Sequence, residues 1–164
     1  MYRAVVITCS DGVFHGVRHD LSGPAVRELL EENGYEVTSL RVVADERPVI
    51  SAAIVEAIDG GARLVVTAGG TGIAPRDVTP EATMDVADRI IPGFGELMRA
   101  ESLHVTRMAP LSRAQAATRG SALVVNLPGS RSGAVDNLKS VLGLIPHALE
   151  LLSGVSVQQH PRPR

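Results

Sequence analysis

The sequence predicts an α/β domain: a mainly parallel sheet covered by helices on both faces. Three observations lead there. Short β-branched apolar runs alternate with longer segments of helical periodicity, a pattern that builds parallel sheets with both faces buried. Glycine-rich or polar turns follow several of these runs, as in "TAGGTG" (67–72) and "NLPGS" (126–130). The chain of 164 residues has no linker, composition shift or internal repeat, so it fits a single domain. A domain of that length buries about two-thirds of its unfolded surface.

The elements follow in order. "YRAVVITC" (2–9) is a mostly apolar run bounded by polar turn residues, and reads as a buried strand rather than as a signal segment. Ser22 precedes Gly23-Pro24 at the start of a helix that places Val26, Leu29 and Leu30 on one face and ends at Gly34. The alternation in "YEVTSLRVV" (35–43) predicts the second strand. Pro48 in a first turn, then Ile50, Ile54 and Ile58 at fourfold spacing, predict a helix closed by Gly60-Gly61. "RLVVTA" (63–68) is the third strand. Thr79-Pro80-Glu81 reads as a helix start, with Thr79 as N-cap, Pro80 first in the helix and Glu81 at the positive dipole end; the helix is expected to reach about Ile90. A second helical stretch occupies 92–108, and "SALVVNLPG" (121–129) is a further strand ending in a turn. The region 132–152 is helical, with Val135, Leu138, Leu142, Ile145 and Leu149 inward and a kink or split at Pro146. The domain is therefore expected over 1–153. The remaining 154–164, which includes "VSVQQHPRPR", has little to bury and is expected to be a flexible tail.

Composition excludes several functions. Net charge is −2 and aromatic residues make up 2%, which removes both the electrostatic footprint and the stacking platforms of a nucleic-acid binder. Cys9 is the one cysteine, so no internal disulfide forms; it reads as a small core residue in a reducing compartment. No run of roughly 18 apolar residues suggests a membrane span. A cytoplasmic protein is expected. The histidines show no recognised metal-ligand spacing.

In parallel sheets, ligands sit beyond the carboxyl ends of the strands. Ser10-Asp11-Gly12, Ala44-Asp45-Glu46, Gly69-Gly70-Thr71-Gly72 and Asn126-Leu127-Pro128-Gly129-Ser130 all leave strands in that direction. The glycines lack the Lys-Ser/Thr of a P-loop and the third glycine of a dinucleotide fingerprint. By themselves they fit a tight strand-to-helix turn as well as an anion nest. Thr71 and the helix start at Thr79 favour the ligand reading. Arg76-Asp77 is either a surface ion pair or part of a site. Two separated acids, Asp45 and Asp77, beside a phosphate cradle suit Mg2+, which is held by one or two carboxylates with substrate phosphates and water. Ser112-Arg113 either caps a helix or offers a bidentate phosphate contact. Asn126 to Ser130 is either a capped strand–turn–helix corner or a second anion site with Arg131 nearby.

These segments together resemble the molybdenum-cofactor biosynthesis family of Mog and MoaB type, the molybdopterin adenylyltransferases. The matching pieces are Ser10-Asp11-Gly12, "DLSGP" (20–24), "ADE" (44–46), "TAGGTGIAPRDVTPEA" (67–82), "PGFGE" (92–96), "LSR" (111–113) and "NLPGS" (126–130). The resemblance implies a three-layer α/β/α sandwich, usually a homotrimer. It implies Mg2+-dependent transfer of AMP from ATP to the terminal phosphate of molybdopterin, whose product passes to a molybdate-inserting enzyme. On it, Asp45 and Asp77 correspond to the family's functional acids and metal ligands. Ser10, Asp11, Gly69, Gly70, Thr71, Gly72, Arg76, Thr79, Ser112, Arg113, Asn126, Pro128, Gly129 and Ser130 fall in its substrate-binding segments. Ala44 stands where a proline often precedes the first acid, and Arg131-Ser132 where a Pro-Lys pair often follows, which leaves Arg131 to substitute for that cation. The alternative within the same fold is a non-catalytic binder or relay of the pterin. Outside it, the alternative is an assembly protein whose glycine loops are only turns.

Overall fold

The computed structural model describes residues 1–154, so apart from Gly154 the expected tail lies outside the described residues. The strands β1 (Arg3–Cys9), β2 (Glu36–Val43), β3 (Leu64–Ala68), β4 (Arg89–Ile91), β5 (Ala116–Arg119) and β6 (Ala122–Leu127) form one sheet in the order β2-β1-β3-β6-β5-β4. β1 pairs parallel with β2 and β3, and β3 parallel with β6. β5 runs antiparallel to both its neighbours, so it alone opposes the common strand direction.

The helices are α1 (Asp11–Phe14), α2 (Ser22–Glu32), α3 (Arg47–Asp59), α4 (Thr79–Val86), α5 (Pro92–Ser102), α6 (Arg131–Leu142) and α7 (Ile145–Leu152). Alternate strand residues divide them into two layers. Ala4, Val6, Leu64, Val66, Leu123 and Val125 pack with α2, α5, α6 and α7. Val5, Ile7, Cys9, Val65 and Val124 face α3 and α4. The expected α/β/α sandwich results. Fully buried side chains such as Leu30, Ile54 and Leu138 anchor each layer, each stabilising by roughly 1.5–3 kcal/mol.

The structure corrects the sequence reading in several places. The helix expected to reach Ile90 stops at Val86: Ala87 is extended, and the Asp88 N–H donates to the Thr118 carbonyl at 2.7 Å, drawing the chain into β4. β4 and β5 were not anticipated. Thr79 is not an N-cap; Val78 holds that position, Thr79 is the first helical residue, and its buried hydroxyl has no hydrogen-bond partner among the described residues. The stretch 92–108 is helical only to Ser102, and a short 3-10 turn follows at Ala109–Leu111. The helical region after Ser130 does split, at Gly143-Leu144, with Pro146 in the first turn of α7, where its missing N–H costs nothing.

The connection from β1 through α2 leads to β2 on one side of β1, while the connection from β2 through α3, in the opposite helical layer, returns to β3 on its other side. The strand order therefore reverses between β1 and β3, and the loops leaving these strands part to open a crevice there.

Candidate active site

The loops after β1, β2, β3 and β6 meet at this crevice. Backbone hydrogen bonds tie them in pairs: the Ser10 N–H donates to the Val43 carbonyl and the Gly69 N–H to the Leu127 carbonyl, each at 3.0 Å. Gly69 (φ +112°) and Gly70 (φ +65°) take left-handed conformations that favour glycine. A Cβ on Gly69 would run into the Cys9 carbonyl. One on Gly70 would meet the Thr79 hydroxyl and come within 3.3 Å of Asp45 Oδ1. The glycines thus let the loop lie directly against the end of β1 and the first acid.

Asp11 and Asp45 are joined reciprocally. The Asp11 N–H donates to Asp45 Oδ2 at 2.8 Å, and the Asp45 N–H to Asp11 Oδ1 at 3.0 Å. Arg76 then donates Nε and Nη2 to the two Asp11 oxygens at 2.8 and 3.0 Å. The Asp45 N–H bond, then the Arg76 guanidinium, hold the Asp11 carboxyl below its usual range against a smaller opposing effect of burial. Asp45 is shifted upward. Burial is the main cause; the Asp11 N–H opposes it, and the charges of Asp11 and Asp77 add to it. Asp45 Oδ1 is buried and, among the described residues, has no hydrogen-bond partner. Asp77 accepts from the Ala74 N–H on Oδ2 at 2.9 Å.

These groups border two cavities. The larger, of about 530 Å3, is walled by Ser10, Asp45, Gly69, Gly70, Asp77, Gly129 and Ser130, with Arg18 and Arg131 as its cations and His19 beside them. The smaller, of about 380 Å3, is lined by Gly70, Thr71, Gly72, Asp77, Leu111, Ser112, Pro128, Gly129 and Ser130. Gly70, Asp77, Gly129 and Ser130 belong to both and form a common rim. Ser130 also caps α6 by accepting from the Gly133 N–H.

Other residues singled out in the sequence lie away from the cavity walls. Asn126 is fully buried, and its Nδ2 donates to the hydroxyls of Thr67 and Thr83 at 2.9 Å each, which joins β6 to β3 and α4 beneath the site. Arg113 turns from the cavities and grips the glycine loop, donating Nε to the Gly72 carbonyl at 2.7 Å and Nη2 to the Asp77 carbonyl at 2.6 Å. Thr79 lies under Gly70, to whose carbonyl its N–H donates. Burial pushes the Cys9 thiol up to about 12, as expected of an inert core cysteine.

Asp20, Arg18 and His19 line the larger cavity and were not singled out as site residues. Asp20 accepts from the Thr8 hydroxyl at 2.7 Å and from the Gly23 N–H at 2.9 Å, closing the start of α2. The signal was present in "DLSGP", an acid three residues before a glycine N–H at a helix start. Among the described residues no group of three or more His, Cys, Asp or Glu forms a self-sufficient metal cage. No helix there is long and apolar enough to cross a membrane.

Comparison with known proteins agrees with this geometry. A family model described as the probable molybdopterin binding domain matches residues 5–147. The molybdopterin adenylyltransferase of Helicobacter pylori (strain J99) is 42% identical over 158 residues, 93% of this chain and 89% of its own length. The Escherichia coli K12 enzyme of the same name is 37% identical over 175 residues, 97% and 89% of the two chains. The crystal structure of the molybdopterin biosynthesis enzyme MoaB from Thermus thermophilus superposes with a TM-score of 0.88 at 46% identity, covering 94% of this chain and 98% of that one.

Proposed function

The chain belongs to the probable molybdopterin binding domain family, and from that premise we propose that it is a molybdopterin adenylyltransferase of molybdenum-cofactor biosynthesis. It transfers AMP from ATP to the terminal phosphate of molybdopterin and releases pyrophosphate. The observation that carries this reading is the pair of cavities meeting at one rim of Gly70, Asp77, Gly129 and Ser130. An enzyme that joins two phosphate-bearing substrates needs adjoining sites whose shared border holds the reacting phosphates.

An oxygen of the pterin phosphate attacks the α-phosphorus of ATP. A new P–O bond forms, the bond from the α-phosphorus to the bridging oxygen breaks, and that oxygen leaves with the electron pair on pyrophosphate. The attacking phosphate monoester is already anionic near neutral pH, so no strong base is required. Charge repulsion and alignment are the obstacles. The backbone of Gly70 to Gly72 and the helix start at Ser130 offer amides to the phosphates, while the Gly69 amide is spent on the Leu127 carbonyl. Ser10, Ser112 and Gly129 complete the walls, and Arg18 and Arg131 set positive charge on the wall of the larger cavity.

Asp45 and Asp77 position the reaction rather than take a proton. They also suit magnesium: Asp45 Oδ1 is buried without a partner among the described residues, and its carboxyl is pressed upward by burial and by neighbouring negative charge. Asp45 and Asp77 would hold the cation, which would relieve both and, when bound, would offset the charge of the phosphates. Arg76 holds Asp11, and through it Asp45, rather than meeting substrate in this arrangement.

The same proposal includes a homotrimer acting in the cytoplasm, where ATP is supplied, and delivery of the adenylylated pterin to a molybdate-inserting enzyme. Incubating the protein with molybdopterin, ATP and Mg2+ tests the activity. Adenylylated molybdopterin with equimolar pyrophosphate is expected; ATP left intact while molybdopterin binds favours a non-catalytic binder. Light scattering of the purified protein tests the trimer.

A further inference from the structure

We infer that Arg113 is a positioning residue: it fixes the Asp77 loop relative to Asp45 by gripping backbone carbonyls, and it does not serve as a phosphate ligand. This rests on Asp45 and Asp77 acting as a pair, and it concerns how their spacing is set. Arg113 meets the loop between β3 and α4 at several points. Its own N–H donates to the Thr71 carbonyl at 2.7 Å, Nε to the Gly72 carbonyl at 2.7 Å, and Nη2 to the Asp77 carbonyl at 2.6 Å. Nη1 pairs with Glu81 in the first turn of α4. Burial pushes Glu81 upward, but Arg113's hydrogen bond and charge, together with backbone contacts and Arg47, hold it below its usual range.

The other acid is tied to the same helix. Arg47, two residues after Asp45 and first in α3, donates Nε and Nη2 to Asp85 of α4 at 2.6 and 2.5 Å. α4 is therefore a common anchor, with Arg47 securing the Asp45 loop to it and Arg113 the Asp77 loop. On the open side, the Asp45–Asp11–Arg76 chain closes the frame. The Arg113 fork reaches two carbonyls and a carboxylate at once, which the single ammonium of a lysine does not reproduce. A displacement of the reacting groups of about 1 Å costs on the order of 100-fold in rate, so a loose loop affects turnover before it affects binding.

The test compares Arg113→Lys, Arg113→Ala and Arg47→Lys with the unaltered protein. Steady-state AMP transfer is followed with and without added guanidinium ion, and hydrogen exchange is measured at the amides of residues 71–77. Arg113→Lys is expected to lower kcat about 100-fold with both KM values within about threefold. Guanidinium ion should restore Arg113→Ala at least about tenfold. Exchange should quicken at 71–77 and stay unchanged in β1 and β6. Arg47→Lys, farther from the cavities, should show the same pattern at about 3–10-fold in kcat. A tenfold rise in either KM with kcat intact would make Arg113 a substrate ligand and overturn the inference, as would unchanged exchange at 71–77. If the unaltered protein transfers no AMP, the proposed function fails separately, while the exchange data still decide the positioning role.

Discussion

The two acids of the site are held in different ways. Asp45 sits on a short turn between β2 and α3, and its place is set from within: β1 and β2 are in register through Cys9 and Val43, and Asp11 exchanges hydrogen bonds with it across that pair. Asp77 sits on a ten-residue loop between β3 and α4, 69–78, and its backbone is held from outside by Arg113, thirty-six positions later in the chain. The first arrangement leaves Asp45 buried enough to shift its titration, with one oxygen unpartnered among the described residues. The second keeps Asp77 on the rim common to both cavities. Both acids are half-buried; they differ in that Asp45 has one enclosed oxygen and a neighbour-set position, whereas Asp77 rides on a loop held by a distant arginine, a pairing that suits the cation and the two substrates proposed above.

The sharpest break in that comparison comes from the acids themselves. Asp77→Asn is expected to lower kcat at least about 100-fold, or ~2.7 kcal/mol, while molybdopterin binding measured directly is retained. Asp45→Asn should lose turnover to a similar degree yet melt higher than the unaltered protein at pH 7. The sign follows from the raised carboxyl: a folded-state value above the unfolded one means stability is lost as pH rises through it, so at neutral pH the charged Asp45 is a burden. Thermal scans of Asp45→Asn against Asp77→Asn at pH 7 separate the acid with an enclosed oxygen from the acid on the loop.

Smaller effects sharpen the comparison. Gly70→Ala forces a Cβ at φ +65° against the Thr79 hydroxyl and near Asp45, so urea unfolding should show a loss of about 1–3 kcal/mol. Arg76→Ala removes an exposed ion pair, so stability should change by less than about 1 kcal/mol. Turnover should nevertheless fall by roughly 3–10-fold, because Asp11 loses the tether that steadies Asp45.

Much of this architecture is legible in the sequence. β1, β2, β3 and β6 carry apolar runs long enough to read, and the polar turns after them point to the crevice. β4 is only three residues and β5 only four, with two alanines among them, so neither run is long enough to read as a strand without its partner. In the sequence, Asn126 to Ser130 fits either a capped strand–turn–helix corner or an anion site, and Asn126 falls in a segment that the resemblance gives to substrate. Its buried amide instead satisfies hydroxyls from β3 and α4, partners that only the fold brings near. From its chemistry, Ser112-Arg113 fits either a helix cap or a bidentate phosphate contact. The carbonyls Arg113 grips belong to a loop far away in sequence, and no local pattern announces them.

In the proposed reaction two phosphate-bearing substrates meet at the rim of Gly70, Asp77, Gly129 and Ser130, with Asp45 on the wall of the larger cavity beside it. Its most direct measurement is a single turnover with molybdopterin, ATP and Mg2+, following pyrophosphate and adenylylated pterin together. The unaltered protein should form both in equal amount, only when all components are present, and Asp77→Asn should bind molybdopterin without forming either. Equal product from Asp77→Asn, or none from the unaltered protein with both substrates bound, contradicts the account.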